Sequence, residues 1–153
     1  MDTSAVAKLY MKEPGSRRLV SWVGHPATGF LPSVRVCVAR IVLPEAISAI
    51  TQRRNERKVD RHGVLKLWSS VLADFSGTVS RYEVVELTEA VVLRAALLAA
   101  THGLRGYDAV QLASALSVQM RLEDSAALVF VSSDGALTRA AQAAGLATAD
   151  PTA

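Results

Sequence analysis

Four acidic residues, far apart in the 153-residue sequence, share one kind of local position. Asp2 stands directly before TSAVAKLY, Glu45 follows Pro44, Asp108 lies inside LRGYDAVQLASAL, and Asp134 follows the apolar run ALVFVS. Each lies where a helical pattern begins, and a carboxylate there stabilises a helix by roughly 0.3 to 1 kcal/mol. Helix capping is therefore one explanation of these acids, and for Asp2 or Asp134 taken singly it is the favoured one.

Asp108 has a setting that capping alone does not explain. It borders an apolar stripe with helical spacing, made up of Ala109, Leu112, Ala113, Leu116 and Met120. Such a stripe faces the core, beside which an unpaired charge is costly. Glu45 has apolar neighbours of the same kind. Both acids therefore call for a partner that neutralises them.

The elements that must position these acids follow from apolar patterns along the chain. Apolar, β-branched runs predict buried strands at 34–41, 82–87 and 127–132. Periodic segments predict helices at 3–12, 16–23, 44–58, 60–76, 88–103, 104 to about 122, and 134–146. Alternating strands and helices, with no hairpin signal, indicate one domain over residues 1–153 with a parallel sheet covered on both faces. Strand ends and helix starts gather at one edge of such a sheet, where the four acids could converge.

Convergence of the acids would require a counter-charge. Two carboxylates ~5 Å apart repel by about 3 kcal/mol at an effective dielectric constant of 20. Several such pairs rival the whole stability of a domain, roughly 5 to 15 kcal/mol, so the cluster must take up protons or a cation. Oxygen ligands with no accompanying cysteine or histidine cluster favour Mg²⁺ or Mn²⁺ over zinc.

Composition and charge limit the setting in which the protein works. Half of the residues are hydrophobic and a fifth are charged, as in ordinary globular proteins. The single cysteine, Cys37, lies in a predicted strand and fits a reducing cytoplasm as a packed thiol. The longest apolar stretch is interrupted by Arg94 and is too short to span a bilayer, so membrane insertion is not expected.

The charge is distributed unevenly along the chain. Residues 1–75 contain 12 Lys and Arg against 6 Asp and Glu, whereas residues 76–153 contain 5 against 8. A basic first half permits a polyanionic partner, and it is equally compatible with ordinary solvated helix faces.

Signatures of several other enzyme classes are missing. The sequence contains no GxGxxG, GxxxxGK[ST] or GxSxG motif, so dinucleotide, P-loop and serine-hydrolase interpretations lack their residues. A haloacid-dehalogenase phosphatase would need an aspartate where Ser4 stands. A response-regulator receiver would need a late lysine, and none follows Lys66.

The segments around the four acids resemble those of PIN-domain ribonucleases. MDTSAVAKLYMKEPGS is similar to the family's opening, and PEAISAITQRR is similar to the segment with its second acid. LRGYDAVQLASAL and FVSSDGALTRAAQAAGL are similar to the segments with the third and fourth acids, and they resemble the VapC toxins of bacterial toxin–antitoxin pairs. The resemblance covers most of the chain in the right order.

The resemblance implies a three-layer α/β/α sandwich with a central, mainly parallel sheet, and an endoribonuclease dependent on Mg²⁺ or Mn²⁺. It implies hydrolysis of RNA phosphodiesters to a 3′-hydroxyl and a 5′-phosphate. The implied catalytic and metal-binding residues are Asp2, Glu45, Asp108 and Asp134, with hydroxyl support from Ser4 and Ser132. A cytoplasmic location, a homodimer and a cognate antitoxin partner follow by the same analogy.

Basic residues near two of the acids are candidates for phosphate contacts. The helix that follows Pro44 continues into a basic stretch with Arg53, Arg54, Arg57, Lys58 and Arg61. These residues could bind RNA, and a solvated helix end explains them equally well. Arg105 could contact substrate or act as a counter-ion for Asp108.

The sequence departs from the family at its beginning. The first strand should precede Asp2 with several apolar residues, and only Met1 stands there. We expect either that translation starts further upstream or that the chain is a shortened form with weakened metal binding. This departure supports an alternative function, a catalytically weak or inactive PIN-fold module that binds RNA or a partner protein.

Overall fold

The protein consists of seven helices and short strands within the described part of the chain. The computed structural model describes residues 1–56, 60–76, 81–123 and 126–153. The helices are α1 (Thr3–Tyr10), α2 (Ser16–Val23), α3 (Val42–Asn55), α4 (Arg61–Ser76), α5 (Glu89–His102), α6 (Gly106–Gln119) and α7 (Gly135–Ala143). The strands are β1 (Gly24–His25), β2 (Gly29–Phe30), β3 (Cys37–Ala39), β4 (Glu83–Val85), β5 (Val129–Val131) and β6 (Ala147–Ala149).

The central strands form two parallel pairs. β3 pairs with β4, with Val38 opposite Val84, and β5 pairs with β6, with Phe130 opposite Thr148. β1 and β2 form a separate antiparallel pair, with Gly24 opposite Phe30. The parallel arrangement that strand and helix alternation predicts is therefore found in both central pairs.

The first two residues connect the two parallel pairs. The Met1 ammonium donates to the Cys37 carbonyl of β3 over 3.0 Å. The Asp2 amide donates to the Val131 carbonyl of β5, also over 3.0 Å. Asp2 then caps α1 through its side chain, which accepts a hydrogen bond from the Ala5 amide. The chain thus leaves the sheet at Asp2 and enters a helix at once.

Helices cover the strands in the predicted three-layer α/β/α arrangement. α6 packs against β3, α5 and α7, whereas α1 packs against α2 and α3, and α3 packs against α4. Buried apolar side chains form one large cluster that extends from α1 through α4 and two smaller clusters around α5, α6 and α7. None of the helices in the described residues is long and apolar enough to cross a membrane.

Two strand pairings differ from the sequence prediction. Residues 24–33, for which the sequence predicts neither a strand nor a hairpin, contain the antiparallel β1–β2 pair. Its two-residue strands begin at Gly24 and Gly29, whose positive φ angles of 85° and 102° suit a tight reversal of the chain. Strands this short show no alternating apolar pattern, so the sequence gives no sign of them. β6 was not predicted, because its residues Ala147–Ala149 are small and two of the three are alanines.

The start of α3 also differs from the prediction. The helix begins at Val42, two residues before Pro44, rather than at the proline. Pro44 therefore occupies the third helical position, where a missing amide is still tolerated because the first four amides of a helix have no intrahelical acceptor. Glu45 remains in the first turn, as the sequence indicates.

Candidate functional site

The fold brings the four predicted acids into one electrostatic neighbourhood. Asp2 caps α1 and Asp134 caps α7, while Glu45 and Asp108 lie in the first turns of α3 and α6. Burial raises the pKa of Glu45, and the charges of Asp108 and Asp2 raise it further. Burial likewise raises the pKa of Asp108, with Asp134 and Asp2 adding to the effect. The charges of Asp2 and Asp108 thus act on Glu45, and those of Asp2 and Asp134 act on Asp108, although the four acids are spread over more than 130 positions in sequence.

Asp2 is buried and surrounded by donors. Its side chain is 3% exposed. The Ser4 hydroxyl lies 2.9 Å from each of its oxygens, the Ser132 hydroxyl donates to Oδ2 over 2.8 Å, and the Ala5 amide donates to Oδ1 over 2.9 Å. Burial raises the pKa of Asp2, while these hydrogen bonds oppose the rise because they stabilise the carboxylate. Neutral donors therefore hold the acid in place.

Ser4 and Ser132 extend this hydrogen-bond network to the start of α7. The Ser4 hydroxyl accepts from the Ser133 amide over 2.9 Å, and the Ser132 hydroxyl accepts from the Asp134 amide over 3.0 Å. The Asp134 carboxylate in turn accepts from the Ala136 and Leu137 amides through Oδ1. Both serines thus join the Asp2 carboxylate to the backbone before α7. Asp134 also has the capping role that its position predicts.

Glu45 is held by two side chains from other helices. The Thr3 hydroxyl of α1 and the Gln111 amide of α6 both donate to Glu45 Oε2, over 2.5 and 2.7 Å. The Gln111 carbonyl accepts from the Thr3 backbone amide over 2.9 Å. Both side-chain donors lower the pKa of Glu45 and so oppose the effects of burial and neighbouring charge. We call Thr3, Glu45 and Gln111 the Glu45 clasp.

Asp108 differs from the other three acids. Among the described residues its carboxylate has no hydrogen-bond or salt-bridge partner. Arg105, which precedes α6, lowers the pKa of Asp108 through its charge, but burial and Asp134 outweigh this effect and the pKa is raised. Asp108 is therefore the acid whose charge the protein compensates least.

The four acids offer the type of ligand atom that a hard divalent cation prefers, but they are not arranged as a complete ligand shell. In the described part of the chain, no three His, Cys, Asp or Glu side chains are arranged as ligands of one ion. The four acids nevertheless supply oxygen ligands, and their charges oppose one another at Glu45 and Asp108. Such a set favours Mg²⁺ or Mn²⁺ and is poorly suited to zinc.

Two further residues, Gln111 and Tyr107, belong to the site although they are not among the predicted site residues. Gln111 is 5% exposed and lies three positions after Asp108, so helical spacing puts it beside that acid and could have marked it as a residue of the site. Tyr107 is 61% exposed and borders a cavity of about 420 Å³ beside Glu45. Thr3, Pro44 and Gln52 also line this cavity.

The basic residues predicted to contact RNA differ in where the structure places them. Arg105 lies close enough to Asp108 to affect its pKa. The side chains of Arg53 and Arg54, and all of Arg57 and Lys58, lie outside the described residues. Arg61 opens α4 rather than extending α3.

Comparison with known families supports the assignment of the fold. The model of the PIN domain family matches residues 1–143, and the chain therefore belongs to the PIN domain family. PIN domains are typically metal-dependent nucleases, and PIN domain proteins bind RNA. No curated protein sequence matches this chain.

Replacement of Asp108 by asparagine should raise the melting temperature of the metal-free protein. The pKa of Asp108 is higher in the folded protein than its ordinary value of 3.8. Asp108 therefore contributes to stability below pH 3.8, and this contribution is lost as the pH rises through the pKa of the folded state. Asp108→Asn removes that loss at pH 7, and each kcal/mol regained raises Tm by roughly 2 to 4 °C. Thermal melts in EDTA at pH 4, 5.5 and 7 measure the gain, which should grow with pH.

Glu89→Gln is the matched control for this substitution. Glu89 is exposed and lies in the first turn of α5, so its replacement removes a similar favourable interaction with a helix dipole. We expect a small decrease in Tm at pH 7. If Asp108→Asn also lowers Tm at pH 7, Asp108 stabilises its helix and is not repelled by the other acids.

Replacement of Gln111 by methionine should destabilise the Glu45 clasp. The variant leaves the partly buried Thr3 amide without its acceptor and removes one donor to Glu45, at a cost of roughly 1 to 3 kcal/mol. Tm should fall by roughly 2 to 12 °C. Gln142→Met is the control, since Gln142 also donates to a threonine hydroxyl but is exposed. Equal losses in the two variants would contradict the clasp.

Proposed function

We propose that the protein is an endoribonuclease that requires Mg²⁺ or Mn²⁺ and hydrolyses RNA phosphodiester bonds. The main support is the convergence of Asp2, Glu45, Asp108 and Asp134, within a chain of the PIN domain family. Helix capping accounts for Asp2 and Asp134 but not for the raised pKa of Asp108, whose carboxylate lacks a donor among the described residues. A bound cation would compensate that charge.

The four acids would hold the ion, and their neighbours would orient them. In the proposed arrangement Asp2 is fixed by Ser4 and Ser132, and Glu45 is fixed through Oε2 by the clasp. A bound divalent ion lowers the pKa of water and neutralises charge that develops on the phosphate oxygens during hydrolysis. The fixed carboxylates limit the reorganisation that ion binding requires.

RNA would approach through the cavity beside Glu45. Tyr107 is an exposed residue that lines this cavity and directly precedes Asp108, so a nucleobase could stack on its ring while the adjacent phosphate lies near the acids. Arg105 carries a positive charge at the same end of α6 and would attract the phosphate backbone. Arg53, Arg54 and Arg57 remain candidate RNA contacts on the strength of their sequence positions alone.

Cleavage of RNA by the wild type and by Asp108→Asn, with metal titrated, tests this function directly. We expect cleavage of a mixed RNA substrate with Mg²⁺ or Mn²⁺, none in excess EDTA, and products with 5′-phosphates. Asp108→Asn should lower kcat/KM about a hundredfold or more, equal to about 2.7 kcal/mol, with the fold intact by circular dichroism. Glu89→Gln should cleave like the wild type. Undiminished cleavage by Asp108→Asn would disprove the proposed role of this acid.

Substitution of Tyr107 tests the proposed route of the substrate. Tyr107→Ala should raise KM for RNA by roughly 5- to 150-fold, because stacking of one base contributes about 1 to 3 kcal/mol. Tyr107→Phe keeps the ring and should retain a KM near that of the wild type. Binding of Mn²⁺, measured by calorimetry, should be the same in both variants. A rise in KM in Tyr107→Phe as large as in Tyr107→Ala would exclude stacking as the cause.

The toxin role, the antitoxin partner, the homodimer and the cytoplasmic location are further parts of this proposal. They are supported by the resemblance of the Asp108 and Asp134 segments to VapC toxins. Val92, Leu93 and Leu97 form an exposed apolar set on α5 that a second protomer could cover. Growth arrest on expression, relieved by the product of a neighbouring gene, would support the toxin role, and sedimentation would give the oligomeric state.

A non-catalytic PIN-fold module that binds RNA or a partner protein is the second candidate. Its support is that the described acids do not already form a ligand shell, and that the Asp134 carboxylate accepts from two backbone amides. This function predicts RNA binding that is equal in EDTA and in Mn²⁺, with no cleavage in either. The two candidates therefore differ in the metal dependence of both measurements.

A further inference from the structure

A cavity of about 360 Å³ lies between the α1–α2 turn and the residues that follow β6. Lys12, Arg17 and Arg18 line it on one side, and Thr152 lines it on the other. All three cations are exposed, and in the described part of the chain none of them forms an ion pair. We call this space the basic cavity. It offers three positive charges to a ligand.

Two carboxylates lie close to the basic cavity, and both already have partners. Glu13, which also lines the cavity, pairs with Lys8 of α1, with 3.7 Å between Oε2 and Nζ. Asp150 accepts hydrogen bonds from the amide and the hydroxyl of Thr152 over 2.8 and 2.7 Å. The pKa of Asp150 is lowered by these bonds and further by the charge of Lys8. Lys8 and the three lining cations thus outnumber the two carboxylates.

Close packing fixes the two sides of the basic cavity relative to each other. Gly15 has a φ angle of 85°, and a Cβ atom added there would lie 2.7 Å from the Pro151 carbonyl oxygen. Pro151 is buried, and Asp150 holds the next residue, Thr152, through two hydrogen bonds. The cations therefore face a formed wall.

Parallel pairing places that wall near Asp134. β5 and β6 are parallel, with Val131 opposite Ala149. The Ser132 amide donates to the Ala149 carbonyl over 3.1 Å and extends the pairing by one residue. The carboxyl ends of the two strands therefore lie side by side, so residues 150–152 leave the sheet where the segment leading to Asp134 leaves it.

α1 connects the basic cavity to the buried acid Asp2. Asp2 caps the start of this helix, and Lys12 lies two residues after its end. Eight residues at 1.5 Å each make the helix about 12 Å long. Thr3, the first residue of α1, lines the cavity beside Glu45. An RNA strand that follows α1 would therefore lead from the cavity beside Glu45 to the basic cavity.

The lining of the basic cavity favours a phosphate backbone over a protein partner. Its described residues are charged or hydroxyl-bearing, together with a glycine and a proline, and none of them is aromatic or aliphatic. The centres of protein interfaces are rich in apolar and aromatic side chains and poor in lysine. Single-stranded nucleic acid, in contrast, binds positively charged grooves that follow its backbone.

We propose that the basic cavity binds phosphates of the RNA strand whose reacting bond lies at the four acids, through Lys12, Arg17 and Arg18. This inference rests on the proposed nuclease function and adds a second contact region for its substrate. Contacts away from the reacting bond bind the substrate and the transition state equally. They lower KM and leave kcat unchanged.

Binding of a labelled oligouridine of about 12 nucleotides, measured by fluorescence anisotropy in EDTA, tests the basic cavity without cleavage. Replacement of Lys12, Arg17 and Arg18 together by glutamine should weaken binding about tenfold or more at about 0.1 M salt. The slope of log Kobs against log salt concentration should fall by about 2, because each phosphate contact with a single strand contributes about 0.7. The charge-conserving variant Lys12→Arg/Arg17→Lys/Arg18→Lys should bind like the wild type.

The matched control removes the same charge elsewhere on the surface. Lys66, Arg81 and Arg121 are exposed, and no ion pair involves them in the described residues. Their joint replacement by glutamine should change the salt slope by less than about 0.7. Both triple variants should keep a Tm near that of the wild type, because they alter exposed side chains.

Cleavage with Mg²⁺ gives a second readout that a purely structural role would not move. The variant that lacks the three cavity cations should raise KM for the oligouridine about tenfold and change kcat by less than about twofold. A wild-type protein that binds RNA through the basic cavity and cleaves none would contradict the nuclease function and support the cavity.

Three results would overturn the proposal. Equal losses of RNA binding in the two glutamine variants would show that only net charge matters. Pyrophosphate binding that is lost in the cavity variant, with RNA binding unchanged, would indicate a site for small anions. A glutamate-rich peptide of the same charge that binds more tightly than the oligouridine, and is lost in the cavity variant, would indicate an acidic protein partner instead.

Discussion

Bringing carboxylates together in a partly buried place costs free energy. Hydrogen bonds donated to the carboxylates of Asp2 and Glu45 offset part of that cost. Asp2 and Glu45 receive hydrogen bonds from Ser4, Ser132, Thr3 and Gln111, all of which are neutral donors. Neutral donors stabilise a carboxylate without cancelling its charge, so the acids stay available to a cation. A lysine or arginine in the same positions would form salt bridges and occupy the carboxylates permanently.

Helix capping and site formation are compatible in this protein. Asp2 and Asp134 cap α1 and α7, as their sequence positions predict, and their charges also act on Asp108. A cap fixes the carboxylate relative to a rigid helix, and the acids at the starts of α3 and α7 follow the strands β3 and β5. Capping therefore fixes the direction of a carboxylate, and a cluster of acids requires such fixed directions. This is a reason for the acids to lie at helix starts rather than within helices.

Local patterns in the sequence determine much of this fold, and contacts between distant residues determine the rest. α2 lies at the predicted 16–23 because its apolar residues repeat at helical spacing and Gly15 and Gly24 flank it. The sequence also predicts the four acids as site residues, because each lies where a helical pattern begins. It does not predict the Glu45 clasp, because Thr3 and Gln111 are 108 positions apart and meet only when α1 and α6 pack around Glu45. β6 depends similarly on β5 for its pairing.

Asp2 links the candidate site to α1 and to β5. Its carboxylate is bonded to Ser4 in α1 and to Ser132 after β5, while its amide bonds to Val131. Displacement of Asp2 along the strand direction would therefore break contacts with α1 and with β5 together. Met1, the residue before it, bonds to Cys37 on β3, so the buried acid is held between the two parallel strand pairs. The order of the acidic edge is thus coupled to the packing of α1, β3 and β5 around Asp2.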